Sequence, residues 1–264
     1  MGAKIIFLGT AGDISTMGKQ TLASGGIVLM DEDVQIHINP GPGTLVRAKQ
    51  YGVNVRNTDI VLASKLDILH SGDINALIEG MTVGGMDHKG VLLCPHGLLS
   101  ESECSLLGST QKGYLERVIA LRVGDKVGIA TTNIFPTKTH AAEEKSLGYI
   151  IVTPRYCIGY VGATEYSAEV AKQYKGCDIL IVPLYVSGNT EEDIERCISL
   201  LQGAKPRAAI LTGFGIKMVQ QDVLSSVRKV HRQTEVQTIA AKDGLTVNPL
   251  SYAAKTRQKS LQPI

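Results

Sequence analysis

Short apolar runs separated by glycine-rich or polar turns dominate the first half of the chain. Helical periodicity is rarer there: helices are expected over residues 44–51, where Gly52 is suited to end the helix, and over 74–79. The segment between them, 64–73, is predicted to be a polar loop after a buried strand. Strands are predicted over residues 4–9, 26–30, 34–38, 60–63, 90–94, 117–123, 126–132, 148–153 and 157–161.

The second half alternates helices and strands. Helices are predicted over residues 167–174, 191–201 and 221–231, and each is followed by a strand, at 179–182, 208–212 and 236–240. This alternation is typical of parallel strands joined by helices, whereas the hairpins of the first half give antiparallel pairs. We therefore expect two mixed sheets in the middle with helices outside, in a single domain over residues 1–264 made of two packed halves, about 1–140 and 141–264.

Composition and charge narrow the class of protein. A net charge of +2 and the absence of interleaved aromatic residues argue against a nucleic-acid partner. No run approaches the roughly 20 apolar residues that a membrane span needs. Five cysteines, an odd number without a Cys-x-x-Cys pair, favour structural thiols in a reduced compartment, so a cytoplasmic location is expected.

Seven short motifs, in this order, resemble those of the metallo-β-lactamase superfamily. Most of them follow or end a predicted strand. They are Phe-Leu-Gly-Thr-Ala-Gly at 7–12, Asn-Pro-Gly-Pro-Gly at 39–43, Ser-Lys-Leu-Asp-Ile-Leu-His at 64–70, Gly-Tyr-Ile-Ile at 148–151, Tyr-Val-Gly-Ala-Thr-Glu at 160–165, Ile-Leu-Thr-Gly-Phe at 210–214 and Ala-Lys-Asp-Gly at 241–244. The resemblance implies an α/β (α+β) fold, a four-layer αββα sandwich of two mixed β-sheets flanked by helices, forming one metallo-β-lactamase-like domain.

The same resemblance implies which positions would hold two metal ions. In the superfamily these are the loop Thr/Ser-His-x-His-x-Asp-His and three later residues. This chain has Lys65, Asp67, Leu69, His70, His140, Ala163 and Gly213 at the seven positions. Only His70 and His140 keep the expected residue type, and they correspond to ligands of different metals. Asn39 replaces the aspartate of the superfamily's Asp-Pro-Gly turn.

This replacement pattern argues against a two-zinc site. A catalytic zinc needs about three protein ligands, and an ammonium group such as that of Lys65 repels a dication. The resemblance therefore implies a protein that has lost most zinc ligands, a pseudoenzyme with a degenerate active site. Such a protein would serve as a non-zinc binding, regulatory or assembly protein, with no metal or other cofactor expected.

A divergent hydrolase is the alternative. It would be phosphodiesterase- or nuclease-like, with a metal site rebuilt from Asp67, His70 and His140, and only this alternative requires zinc or another divalent metal. The loop histidines His88 and His96 are further candidates to reach such a site, although surface positions are the default for both.

The former metal cleft is the expected ligand site, formed by Lys65, Asp67, His70 and His140. Lys65 either supplies the fixed cation of the cleft, paired with Asp67, or forms a surface ion pair worth under about 1 kcal/mol. His70 and His140 form either a structural pair or an acid–base pair. Leu69, together with Ala163 and Gly213, is expected to form an apolar plug where the metals would sit.

The ligand itself is not specified by these residues. A small molecule or a protein is expected to occupy the cleft, and no membrane partner is expected. A further hypothesis is a homodimer with Met81, Val83 and Met86 as its contact patch.

Overall fold

The computed structural model describes residues 2–96, 106–139, 145–162 and 166–254 of the 264-residue chain. The strands are β1 (Lys4–Phe7), β2 (Ile27–Met30), β3 (Gln35–Ile38), β4 (Ile60–Leu62), β5 (Val91–Pro95), β6 (Arg117–Leu121), β7 (Val127–Ile129), β8 (Thr132–Lys138), β9 (Leu147–Val152), β10 (Cys157–Tyr160), β11 (Ile179–Pro183), β12 (Ala208–Thr212), β13 (Gln237–Ala240) and β14 (Thr246–Val247). The helices are α1 (Ile14–Gly18), α2 (Thr44–Gln50), α3 (Ile68–Ser71), α4 (Ile74–Thr82), α5 (Ser109–Gly113), α6 (Ala168–Gln173), α7 (Thr190–Ala204), α8 (Ile216–Gln221) and α9 (Val223–Thr234). Two 3₁₀ turns lie at Val55–Asn57 and Pro249–Ser251.

Within these residues the strands form two mixed sheets. The first has the order β14-β1-β2-β3-β4-β5-β6, and the second has the order β13-β12-β11-β10-β9-β8-β7. In the first sheet β1, β2 and β3 are antiparallel neighbours, and the pairs from β3 to β6 are parallel. In the second sheet β7 to β10 are antiparallel neighbours, and β10 to β13 are parallel. Each sheet therefore combines a hairpin region with a crossover region, as the sequence predicts.

The main core lies between the two sheets. Alternate residues of central strands point into it, for example Ile36 and Leu62 from the first sheet and Tyr149 and Ile151 from the second. Intervening residues such as Val61 face outward and pack under helices. Buried apolar faces on both sides of each sheet explain the four layers, helix, sheet, sheet and helix, that the sequence predicts.

Helix α7 shows why the outer layer forms where it does. Its buried residues Ile194, Cys197, Ile198 and Leu201 have the spacing that places side chains on one face of a helix. These residues belong to the apolar cluster on the outer face of the second sheet. Acidic residues occupy the first turn of α7, where the helix dipole favours negative charge.

Several local expectations are corrected by the structure. The segment predicted as a loop at 64–73 contains the short helix α3. The helix predicted near 221–231 is confirmed as α9, which begins after Asp222, whose φ is +81°, and the sequence analysis missed the short helix α8 that precedes it. The chain passes from the first sheet to the second between Leu121 and Val127, before the expected division of the halves near residue 140. Met81 is fully buried, so it cannot contribute to the expected dimer contact patch; Val83 and Met86 are exposed.

Two further observations concern the helices and the cysteines of the described residues. None of their helices combines the length and the apolar character needed to cross a bilayer. Cys94, Cys157, Cys177 and Cys197 are all buried, as expected of structural thiols.

Candidate functional site

A cleft of about 1090 Å³ opens where the ends of strands from both sheets meet. Its walls come from the turn after β1, the turn after β3, the loop around α3, and the segments that follow β11 and β12. Ligand sites in folds of this kind occur beyond the carboxyl ends of parallel strands. The residues that line it include Asp13, Asn39, Lys65, Asp67, Leu69, His70, Tyr160, Tyr185, Arg196 and Gly213.

Asp67 is the centre of a group of three side chains in this cleft. Its Oδ1 accepts hydrogen bonds from the backbone N–H of His70 at 2.9 Å and from Nδ1 of His70 at 2.7 Å. Its Oδ2 lies 3.0 Å from Nζ of Lys65. The structure thus brings together Lys65, Asp67 and His70, three of the four predicted site residues, while His140 lies outside the described residues.

The local backbone explains why Asp67 sits there. It is the N-cap of α3, with an extended backbone, and its carboxylate satisfies one of the N–H groups that the first turn leaves unpaired. Burial alone would raise the pKa of Asp67, but the hydrogen bonds and charge of His70, with the contact from Lys65, hold that pKa well below its usual range. Asp67 is therefore a carboxylate that is already compensated by protein groups.

Asn39 ties the floor of the cleft to both sheets. Its backbone has a φ of +53°, in the left-handed region that asparagine tolerates. Its Oδ1 accepts a hydrogen bond from the N–H of Ser64 at 2.7 Å, and its Nδ2 donates to the hydroxyl of Tyr160 at 2.8 Å. Burial raises the pKa of Tyr160 to about 12, so this hydroxyl stays protonated at neutral pH. The position of Lys65 is thus fixed by a buried network one residue away.

Leu69 and Gly213 stand at two further ligand positions of the superfamily, and they do not form a closed plug. Leu69 is only partly buried, and both Leu69 and Gly213 line the open cleft. The expected apolar plug is therefore wrong for these two residues, because both are partly exposed in the cleft wall. Ala163 lies outside the described residues.

Metal-binding capacity depends on the donor atoms present. Among the described residues, no three His, Cys, Asp or Glu side chains converge in a way that could hold a metal ion. The carboxylate of Asp67 contacts an ammonium group and an imidazole instead. Within the described part of the cleft, Asp67 and His70 are the adjacent pair of potential metal ligands, and Lys65 contacts one of them.

Two other histidines considered from the sequence do not line the cleft. His88 is exposed beyond the end of α4, and Nε2 of His96 lies 2.7 Å from the guanidinium of Arg122. Conversely, the cleft includes Asp13, Tyr185 and Arg196, which the sequence analysis did not select. A usable signal existed for Tyr185, because it comes two residues after the end of a buried parallel strand.

Asp13 has a structural role in the wall of the cleft. Its Oδ1 accepts from the N–H of Thr16 at 2.6 Å, which caps α1, and its Oδ2 accepts from the N–H of Ile216 at 2.8 Å, at the start of α8. Burial opposes ionisation, but these backbone hydrogen bonds lower the pKa of Asp13. Asp13 therefore holds the turn after β1 against the segment after β12.

Comparison with known proteins agrees with the fold. Residues 35–214 match the model of the beta-lactamase superfamily domain, which is more than half of the chain, and the chain belongs to this family. An uncharacterized protein of Methanocaldococcus jannaschii is 27% identical over 262 residues, which is 95% of this chain and 97% of that protein.

Solved structures show the same fold. The metallo-beta-lactamase fold protein YhfI from Bacillus subtilis has a TM-score of 0.77 at 16% identity, covering 94% of this chain and 99% of that one. Igni18, described as a novel metallo hydrolase from the archaeon Ignicoccus hospitalis, has a TM-score of 0.68 at 17% identity, covering 94% and 98%. At these identities the likeness establishes the architecture alone.

Proposed function

We propose that this chain is a metal-independent member of the superfamily that binds a small anionic ligand in its cleft. The contact between Lys65 and Asp67, 3.0 Å at the position where the superfamily has its first two metal ligands, carries the proposal. On this proposal the ammonium group of Lys65 takes over the role that a metal ion has in the superfamily. On this proposal the protein acts by binding, in a regulatory or assembly role, and needs no cofactor.

The charge arrangement supports an anion. Asp67 already accepts hydrogen bonds from His70, so its charge is partly balanced before Lys65 is counted. Lys65 keeps 45% of its side chain exposed to the cleft and has three N–H donors, of which one contact is to Asp67. An ammonium group on a flexible side chain is a common partner of phosphate groups. Inorganic phosphate is therefore the appropriate first probe.

Gly213 also supports the loss of the metals. Its φ is +61°, and a Cβ built there would lie 3.1 Å from Cβ of Pro183. A histidine at this position would be strained in the present backbone. A single change back to the superfamily residue is therefore expected to destabilise the cleft and not to restore a ligand.

The test combines metal analysis and titration. The purified protein, incubated with equimolar zinc or manganese and desalted, should contain no stoichiometric metal by elemental analysis. Inorganic phosphate should bind measurably by calorimetry, and Lys65→Met should weaken that binding at least about tenfold, a loss of about 1.4 kcal/mol. Lys172→Met, which changes an exposed lysine of α6 away from the cleft, is the matched control. Stoichiometric retained metal, or equal phosphate binding by both variants, would contradict the proposal.

A divergent hydrolase with a rebuilt metal site is the second candidate. The contact of Asp67 with His70, 2.7 Å between Oδ1 and Nδ1, supports it because two potential ligands are already adjacent. Metal binding would require Asp67 to release Lys65. This candidate predicts that zinc or manganese binds and that His140→Ala abolishes the binding, together with any hydrolysis of phosphodiesters.

A further inference from the structure

Tyr185 forms a partly exposed aromatic wall of the cleft. It follows β11, keeps 37% of its surface exposed, and lines both the main cleft and an adjoining pocket of about 300 Å³. The N–H of Tyr185 donates to the carbonyl oxygen of Gly213 at 2.9 Å, so its backbone is joined to the segment after β12. The ring thus stands between two connected spaces.

One side of the Tyr185 ring rests on backbone without side chains. A Cβ at Gly215 would lie 2.4 Å from Cδ2 of Tyr185, and one at Gly12 would lie 2.8 Å from Cβ of Tyr185. Such distances are shorter than van der Waals contact, so Gly215 leaves room for the ring and Gly12 leaves room for the Cβ of Tyr185. The ring is therefore supported from behind while part of its surface remains open to the cleft.

The segment that carries Tyr185 is held by a buried carboxylate. Asp193 of α7 is 1% exposed, and its Oδ1 accepts hydrogen bonds from the N–H and the hydroxyl of Ser187 at 2.8 and 2.9 Å. Its Oδ2 accepts from the N–H of Val186 at 3.3 Å. The residues after Tyr185 are thus fixed to a long helix, so the ring is a preorganised surface for a ligand.

The size of the cleft exceeds that of a simple anion. A volume of about 1090 Å³ slightly exceeds the roughly 300–1,000 Å³ that is typical of small-molecule sites. Ile14 and Ile68 line the same cleft and are 58% and 50% exposed. Exposed large apolar side chains beside a charged centre indicate a ligand with an apolar part.

We propose that the cleft binds an organic phosphate in which the phosphate contacts Lys65 and a planar aromatic group stacks on Tyr185. This inference rests on the proposed anion-binding function and adds the chemical class of the ligand. Lys65 supplies charge, Tyr185 supplies a flat surface, and Ile14 and Ile68 exclude water from the remaining edge of the ligand. Tyr185 is then the residue that determines specificity.

The experiment compares three phosphate monoesters by calorimetry at constant ionic strength. They are phenyl phosphate, cyclohexyl phosphate, which is similar in size but not planar, and ethyl phosphate. Phenyl phosphate should bind at least about tenfold more tightly than ethyl phosphate, since aromatic pairing adds to the burial of apolar area. Cyclohexyl phosphate should fall between them.

Variants at Tyr185 separate stacking from general loss of structure. Tyr185→Phe should keep the advantage of phenyl phosphate over ethyl phosphate, whereas Tyr185→Ala should remove that advantage. Leu224→Ala, an exposed apolar residue of α9 that does not line the cleft, is the control. Thermal unfolding of each variant confirms that the comparison is made on folded protein.

The outcomes distinguish the two proposals. Equal affinity for the three esters, with loss of all binding in Lys65→Met, overturns the aromatic inference and leaves the anion site standing. Equal binding of phenyl phosphate by Tyr185→Ala and the wild type overturns the inference as well. Absence of binding by all three esters and by inorganic phosphate overturns both.

Discussion

Lys65 and Asp67 keep part of their side chains in water, 45% and 33% respectively, although they lie in a cleft. Partial exposure weakens their attraction through solvent screening, so the pair is expected to matter for ligand binding more than for stability. The hydrogen bonds that Asp67 accepts from His70 are expected to matter more for stability, because the one from the backbone N–H caps the first turn of α3.

A double-mutant cycle of Lys65→Met and Asp67→Asn measures how much the ion pair contributes to the unfolding free energy. The coupling free energy should be under about 1 kcal/mol, as for other partly exposed ion pairs. Asparagine retains the capping oxygen, so Asp67→Asn should leave α3 in place. Urea unfolding of the four proteins provides the measurement, and a coupling above about 2 kcal/mol would show that the pair is effectively buried.

His37 is a buried histidine that should make stability depend on pH. Burial lowers its pKa from an ordinary value of 6.5 to about 3. Between those values the unfolded chain binds a proton that the folded chain does not, so the unfolding free energy falls as the pH falls from 6.5 towards 3, by at most about 1.4 kcal/mol per pH unit. Above pH 6.5 His37 is unprotonated in both states, so the unfolding free energy no longer depends on its titration.

The variant His37→Gln removes this proton difference. Its unfolding free energy should change less between pH 7 and pH 4.5 than that of the wild type, whatever its absolute stability. His88→Gln, at an exposed position, is the control and should follow the wild-type pH dependence. Identical pH slopes for the wild type and His37→Gln would mean that His37 becomes protonated in the folded protein.

At the scale of elements, the apolar pattern predicted most strands because each buries at least one face. Strand β8 was missed because Pro136 interrupts its apolar run. The proline is tolerated because β7 pairs only with residues 132–134, so Pro136 lies beyond that partner while it pairs with Tyr149 of β9. Sequence periodicity alone does not show that β7 is shorter than β8.

Only part of the site could be predicted from the sequence, because local patterns do not show which distant residues meet in the fold. Lys65, Asp67 and His70 fall within seven residues of one loop motif, so their proximity follows from local sequence. Tyr185 reaches the same cleft from the other sheet. Its contribution depends on long-range pairing and on glycines at positions 12 and 215, which no local pattern relates to it.

The junction between β3 and β4 is expected to be sensitive to change at Asn39. Asn39→Ala removes two buried hydrogen bonds, to Ser64 and Tyr160, and places a residue less tolerant of left-handed backbone at that position. The loss in unfolding free energy should be about 2–4 kcal/mol. Asn39→Asp retains the acceptor for the Ser64 N–H and should cost less. Equal stability of both variants in urea unfolding would argue that the network does not support the cleft.

At the scale of the whole molecule, Asp243 joins the two ends of the chain. Its Oδ1 accepts from the hydroxyl of Thr10 and its Oδ2 accepts from the N–H of Ala23, both at 2.8 Å. Next to it, β14 pairs with β1, with Ile5 opposite Val247. The first sheet is thus completed by residues from the far end of the sequence.

Asp243→Ala should therefore destabilise the whole fold and not a single loop. Loss of two hydrogen bonds to a carboxylate is expected to cost about 2–4 kcal/mol. Asp33→Ala, in the exposed turn between β2 and β3, is the control and should lie within about 0.5 kcal/mol of the wild type. Thermal and urea unfolding should remain cooperative for both, and a small effect of Asp243→Ala would show that β14 alone holds the ends together.

The pairing of β1 with β14 also has a consequence for synthesis on the ribosome. Phe7 exchanges backbone hydrogen bonds with Gly244 and Leu245, more than two hundred residues later. While the chain is being made, β1 and β2 are available early, but the outer side of β1 has no strand to pair with until β14 has emerged. The nascent protein consequently carries an open sheet edge while more than two hundred residues are translated, and an unpaired edge of this kind favours aggregation.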